Sequence, residues 1–174
     1  GASRLMLDAA QHKSIVRVVD IVLLRIVHGA GRLAKFLVKK SEAFSDGRKR
    51  LEIDQLPGTK KEPHENTLQV AERLLSERLN MSDCKVCLDF SNTEIFEQED
   101  YSPSYPGVRT VYRKEIVQGQ VISTDKAVLD RIGINGDWTM TSEDSKKCVR
   151  VYQWMSEADC ETKKIKLRAP KEGS

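Results

Sequence analysis

The longest run of apolar positions spans residues 14–27, where Ile15, Val16, Val18, Val19, Ile21, Val22, Ile26 and Val27 are interrupted by Arg17, Asp20 and Arg25. β-Branched side chains suit a pleated surface better than a helix, so this run predicts a buried strand. His28-Gly29-Ala30-Gly31 punctuates it as a turn, and residues 32–39 alternate as a second strand, so the two are expected to form a hairpin. Ser45-Asp46-Gly47 is a further turn, and residues 51–56 are expected to form a short strand ending at Pro57-Gly58. The periodicity then changes. Leu68, Ala71, Leu75 and Leu79, with Leu74 beside them, recur at helical spacing and predict an amphipathic helix over residues 66–79, capped by Asn66 or Thr67. Strands are expected again around residues 84–90, 110–123 and 148–154, with an acidic, aromatic and proline-containing loop at 92–107. Ser156, followed by Glu157 and Asp159, opens a last short helix. Residues 4–13 have helical composition and are expected to be a lead-in helix or linker. This order of elements suits an α/β sandwich built on a mixed sheet.

Composition narrows the class. With 174 residues, 32% charged and 39% hydrophobic, the chain has the make-up of one globular domain. A formal net charge of +3 is too small to argue for nucleic acid by itself. Residues 14–27 are too few and too charged to cross a bilayer, so no membrane insertion is expected. The start has no basic segment followed by an apolar core, so no signal peptide is expected. Gly1-Ala2-Ser3 resembles a cloning scar. The expected organisation is scar and lead-in over residues 1–13, one domain over 14–168 and a tail over 169–174, as part of a larger protein. Cys84 and Cys87 form a C-x-x-C, but eleven residues separate Cys148 from Cys160, which matches no common zinc pairing. A strand through Cys84 and Cys87 turns them to opposite faces, so reduced thiols and with them a cytoplasmic location are expected.

The segment Leu56-Pro57-Gly58-Thr59-Lys60-Lys61-Glu62-Pro63-His64-Glu65, followed by Arg73-Leu74-Leu75-Ser76-Glu77-Arg78-Leu79-Asn80-Met81, carries the chemistry. It resembles the Nudix box, G-x5-E-x7-R-E-U-x-E-E-x-G-U, where U is a bulky aliphatic residue. Thr59 stands at the Gly, Glu65 at the first Glu and Arg73 at the Arg, with both spacings kept. Leu74 stands where the family has Glu, Glu77 is retained, Arg78 replaces the next Glu, and Asn80 stands at the later Gly. The resemblance implies a Nudix-type α/β/α sandwich with a mixed β-sheet. In that family acidic side chains on the helix hold magnesium against a diphosphate while water attacks phosphorus. Magnesium requires hard oxygen ligands, and here two cations and one anion stand where the family has one cation and three anions.

The resemblance therefore implies a degenerate domain that senses a ligand or a partner protein within a larger intracellular protein. The expected ligand is a nucleotide diphosphate, ADP-ribose or another sugar phosphate. An active pyrophosphohydrolase with unusual metal ligands is the alternative, and an RNA-end binding module a second. Arg73 is expected to brace the loop by pairing with Glu65, and Arg78 to contact phosphate, since a guanidinium matches phosphate oxygens two at a time. Gly58, Thr59, Lys60, Tyr101 and Tyr105 complete the expected ligand contacts. Glu65 and Glu77 are the residual catalytic candidates. No cofactor is expected beyond weakly held Mg2+, for which Glu62, Glu65 and Glu77 are the candidate ligands. Glu97 and Glu99 offer further carboxylates. His64, Trp138, Trp154 and the basic cluster Lys35, Lys39, Lys40, Arg48, Lys49 and Arg50 are more simply a loop residue, core or rim aromatics and a solvated face.

Overall fold

The computed structural model describes residues 3–7, 15–101 and 108–168. Its centre is β2 (Ile15–His28), which pairs along one edge in parallel with β7 (Val108–Val121) from Ile15 opposite Val108 to Val27 opposite Gln120. The other edge of β2 is shared in succession by three antiparallel partners. These are β1 (Ser3–Leu7), β5 (Gly58–Lys60) and the start of β3 (Lys35–Ala43). β6 (Val86–Tyr101) lies outside β7, while β9 (Val149–Ser156) and β8 (Thr139–Glu143) extend the sheet beyond β3. A two-residue strand β4 (Lys49–Arg50) also pairs with β3.

Alternation along β2 sends Val22, Leu24 and Ile26 to one face, where they pack with Leu37, Val117, Tyr152 and Trp154. Val70, Ala71 and Leu74 from α1 (Thr67–Arg73) and its continuation close over that face, together with Leu129 of α2 (Lys126–Arg131). Leu23 and Val27 point to the opposite face, where Phe36, Val38, Leu56 and Ile116 pack with Cys160 of α3 (Glu157–Thr162) and with Ile165 and Leu167 beyond it. Helices therefore cover a mixed sheet from both sides.

Five sequence expectations are corrected. β2 and β3 meet only at Val27–Phe36 and His28–Lys35, so they form no extended hairpin, because β5 and β1 occupy the remaining edge of β2. Residues 31–33 form a 3-10 turn before β3. Residues 51–54 form no strand. Gln55 makes a single bridge to Lys39, and the strand falls at Gly58–Lys60 instead. Much of the acidic segment expected as a loop is strand. After an irregularity between Asp89 and Glu94, β6 pairs with β7 as far as Tyr101. The helical composition around residues 3–7 is overridden by pairing with β2.

Candidate functional site

Asn66 caps α1. Its side chain accepts from the Gln69 backbone N–H at 2.9 Å and the Gln69 side chain accepts from the Asn66 N–H at 2.9 Å, a reciprocal capping box. Thr67 donates its hydroxyl to Glu115 on β7 at 2.6 Å, fixing the helix start to the sheet. The preceding loop is held by one clamp. Arg73 donates through Nε and Nη2 to the two carboxylate oxygens of Glu65, both at 2.9 Å, and through Nη2 to the Lys60 carbonyl at 3.0 Å. Glu65 also accepts from the Glu62 backbone N–H at 3.0 Å. The Arg73 hydrogen bonds, followed by that backbone donor, hold the Glu65 carboxyl below the usual carboxylate range.

After Arg73 the helix widens. Leu74–Arg78 is a π-helical turn, closed by the Leu79 N–H donating to the Leu74 carbonyl at 3.0 Å. Residues five apart lie about 140° apart around an α-helix, but an i to i+5 ladder brings them nearly onto one face. Arg73 and Arg78 accordingly line the same cleft. Leu74 is buried against the core, whereas Glu77 is exposed and is not among the cleft residues. Asn80 ends the turn with φ 52°, in the left-handed region where Asn is among the residues best tolerated after Gly. Its side-chain amide donates to the Ser142 hydroxyl at 2.9 Å.

Arg78 is held from behind. Ser142 donates to its carbonyl at 2.6 Å, and its guanidinium lies 4.0 Å from Asp144. Asp144 is engaged by Arg150 at 2.8 Å, and buried Arg150 lies 3.5 Å from buried Glu42, which in turn holds Lys39 at 2.9 Å.

These elements form a cleft of about 410 Å3, lined by Ile21 and Leu23 of β2, Gln55, Leu56, Gly58, Thr59, Lys60, Glu62 and the cations Lys39, Arg73, Arg78 and Lys114. Gly58 lies close against β2: a Cβ there would meet the end of the Leu23 side chain at 2.4 Å and the Val22 carbonyl at 3.0 Å, so Leu23 would have to shift. The site brings Gly58, Thr59, Lys60, Glu62, Arg73 and Arg78 together, with Glu65 clamped behind them. Of Tyr101 the backbone is described, paired with Arg109, and Tyr105 lies outside the described residues. Lys114, not singled out from the sequence, enters the site because it sits on the same side of β7 as Ile116.

The donor set does not fit magnesium. Both oxygens of Glu65 are spent on Arg73, Glu77 stands outside the cleft, and Glu62 is the remaining carboxylate on its wall. Among the described residues no three His, Cys, Asp or Glu side chains gather as a metal site.

The mixed sheet, the loop–helix unit and the Glu65–Arg73 clamp at the motif spacing decide the architecture. The fold is an α/β one, a mixed sheet covered by helices on both faces. No family model and no curated protein matches the sequence. Solved structures similar to this chain include a C. elegans Ap4A hydrolase, at 14% identity and TM-score 0.45 over 83% of this chain and 85% of that one. The NUDIX domain of Shewanella oneidensis NrtR, solved with ADP ribose, matches at 15% identity and TM-score 0.42 over 82% and 75%. T. brucei MERS1, solved with RNA, matches at 16% identity and TM-score 0.40 over 83% and 53%.

Elsewhere the basic cluster is largely neutralised. Lys39 and Arg50 lie beside Glu42, Lys40 pairs with Asp54, and Arg48 pairs with Asp46. Lys35 sits 5.3 Å over the ring of half-exposed Trp138, while Trp154 is buried and donates to the Ile132 carbonyl at 2.7 Å. His64 is exposed. The four cysteines are free, with Cys84, Cys148 and Cys160 buried and Cys87 exposed. No helix among the described residues is long and apolar enough to cross a membrane.

Proposed function

We propose that this chain is a non-catalytic Nudix-type domain that binds a nucleoside diphosphate or related sugar phosphate without a metal ion, as a sensing module of a larger intracellular protein. The observation that carries it is the exchange of charge at the helix. The π-helical turn directs Arg78 into the cleft and leaves Glu77 outside, so cations stand where phosphate-bound metal would need carboxylates. Lys60 and Arg78 contact the diphosphate, Arg78 by paired N–H bonds to phosphate oxygens. Arg73 is consumed by Glu65 and positions the loop. The size of the cleft suits a nucleotide-sized ligand.

Calorimetry with ADP and ADP-ribose in EDTA tests this. Binding is expected to survive chelation and to weaken about tenfold or more in Arg78→Ala, a loss of roughly 1.4 kcal/mol. The same ligands are expected to remain intact with excess magnesium or manganese. Metal-dependent turnover abolished by Glu77→Gln would overturn the proposal in favour of a hydrolase. Absence of binding at high micromolar concentration would make the domain a protein-interaction surface.

A further inference from the structure

The cleft continues past Lys114. A second hollow of about 190 Å3 shares Leu23, Gln55, Leu56 and Lys114 with it, and its far wall carries Lys164 and Lys166 from the segment after α3. That segment is anchored. Ile165 and Leu167 are buried in the cluster that contains Leu56 and Ile116, with Leu23 and Phe96 packed against it. The Ile165 N–H donates to the Cys160 carbonyl at 2.8 Å, and Arg25 donates to the Leu167 carbonyl at 2.8 Å. With Ile165 and Leu167 turned inward, the alternating residues Lys164 and Lys166 face the hollow.

Among the described residues no ion pair ties Lys114, Lys164 or Lys166 to a carboxylate. Asp54, the acid on this wall, is paired with Lys40. Lys114 is half-buried, donates to Gln98 at 2.7 Å, and sits 5.9 Å over the Phe96 ring. Burial, and then the charge of Lys166, lower the pKa of its ammonium. Lys164 and Lys166 are exposed at the rim and Lys114 is half-buried below them, so the desolvation falls on Lys114 and an anion seated among the three would offset it together with the repulsion from Lys166. The Phe96 face is already covered by an ammonium, so the hollow offers cations rather than an open surface for stacking a base.

We propose that this second hollow is a subsite for the distal phosphates of a polyphosphate chain, held by Lys114, Lys164 and Lys166 beyond the two phosphates beside Lys60 and Arg78. The proposal rests on the phosphate-binding reading of the first cleft and adds the ligand class, a chain of more than two phosphates.

The test compares ADP, adenosine tetraphosphate and inorganic tripolyphosphate by calorimetry in EDTA, using the whole chain and its Lys164→Ala/Lys166→Ala variant. Adenosine tetraphosphate is expected to bind about tenfold or more tightly than ADP, and that ratio is expected to fall to within about threefold in the double variant. An Arg48→Ala/Lys49→Ala variant, which removes equal charge away from the cleft, is expected to keep the ratio. Tripolyphosphate binding without nucleotide binding would support the subsite and identify inorganic polyphosphate as the source of the chain. If ADP binds but the tetraphosphate gains nothing, the subsite is overturned while the first cleft stands. The same holds if the gain survives Lys164→Ala/Lys166→Ala or is lost equally in Arg48→Ala/Lys49→Ala. If none of the three ligands binds, the phosphate reading of the first cleft falls, and the subsite with it.

Discussion

Glu65 occupies a motif position associated with metal chemistry, yet its oxygens serve the backbone and Arg73. A carboxylate accepting a bidentate guanidinium and an amide N–H is stabilised in its charged form. Glu65→Gln is therefore expected to cost about 1–3 kcal/mol near neutral pH, the usual range for hydrogen bonds to charged groups. The pH dependence has a definite sign. The folded-state pKa of Glu65 is depressed, so its contribution is complete above the unfolded value of about 4.3 and is lost as pH falls through the folded value. Urea titrations should show the gap between wild type and Glu65→Gln fully open above about pH 5 and closing toward lower pH. A gap that stays constant down through the carboxylate range would show that Glu65 contributes by packing. The cysteines make a second case at this scale. Burial pushes the Cys160 thiol up to about 11 and raises Cys84 and Cys148 as well, while Cys87 alone is exposed. Labelling the native protein with a thiol reagent at neutral pH is expected to modify Cys87 rapidly and the other three only after unfolding. Fast reaction of two or more thiols would contradict this.

Among the elements, α1 depends most on local chemistry. Its seven α-helical residues are too few to be stable alone, so the reciprocal cap and the contact with the sheet have to offset the missing length. Asn66→Ala removes an acceptor from the first turn and is expected to cost about 1 kcal/mol, read as a lowered midpoint of thermal unfolding. An unchanged midpoint would show that Thr67–Glu115 suffices to hold the helix start. Because such signals are local, the sequence made this helix and its cap legible, along with the long apolar run of β2 and the Ser156 cap of α3. What stayed hidden depends on partners distant in the chain. The acidic end of β6 is a strand because cations face it from β7: Arg113 lies 4.0 Å from Glu97, Arg109 lies 3.6 Å from Glu99, and Lys114 donates to Gln98. Read alone, that stretch has the polarity of a loop. β2 and β3 look like a hairpin until β5 takes the edge between them, where Gly58 lies close against the Leu23 side chain. The candidate site divides in the same way. Motif spacing revealed Glu65, Arg73 and Arg78, but only the π-helical turn explains why Arg78 lines the cleft and Glu77 does not. Lys164 and Lys166 did carry a signal, the alternation Lys164-Ile165-Lys166-Leu167, in a segment with no regular element to draw attention to it.

Across the whole molecule, the formal net charge of +3 conceals a sorting of charge. Most acids that approach a cation are spent on pairs at the surface or in the buried Glu42–Arg150–Asp144 group, and Lys60, Lys114, Lys164 and Lys166 are left facing one continuous groove. Focusing of like charge in a concave site raises the local concentration of anions and is weakened by salt. This separates two responses to magnesium. In a metal-dependent hydrolase the ion bridges carboxylates and phosphate, so adding it strengthens engagement of the substrate. On the proposed reading the cations already belong to the protein, and magnesium bound to the free phosphates would compete with them. Affinity for ADP is accordingly expected to fall severalfold when millimolar magnesium replaces EDTA at fixed ionic strength. It should fall again as ionic strength is raised, because exposed charges are progressively screened. Calorimetry across both series measures the two effects separately. Affinity that rises with magnesium would mean that carboxylates assemble around the ion once phosphate arrives, and the charge exchange at Arg78 would then have to be explained by a role in turnover.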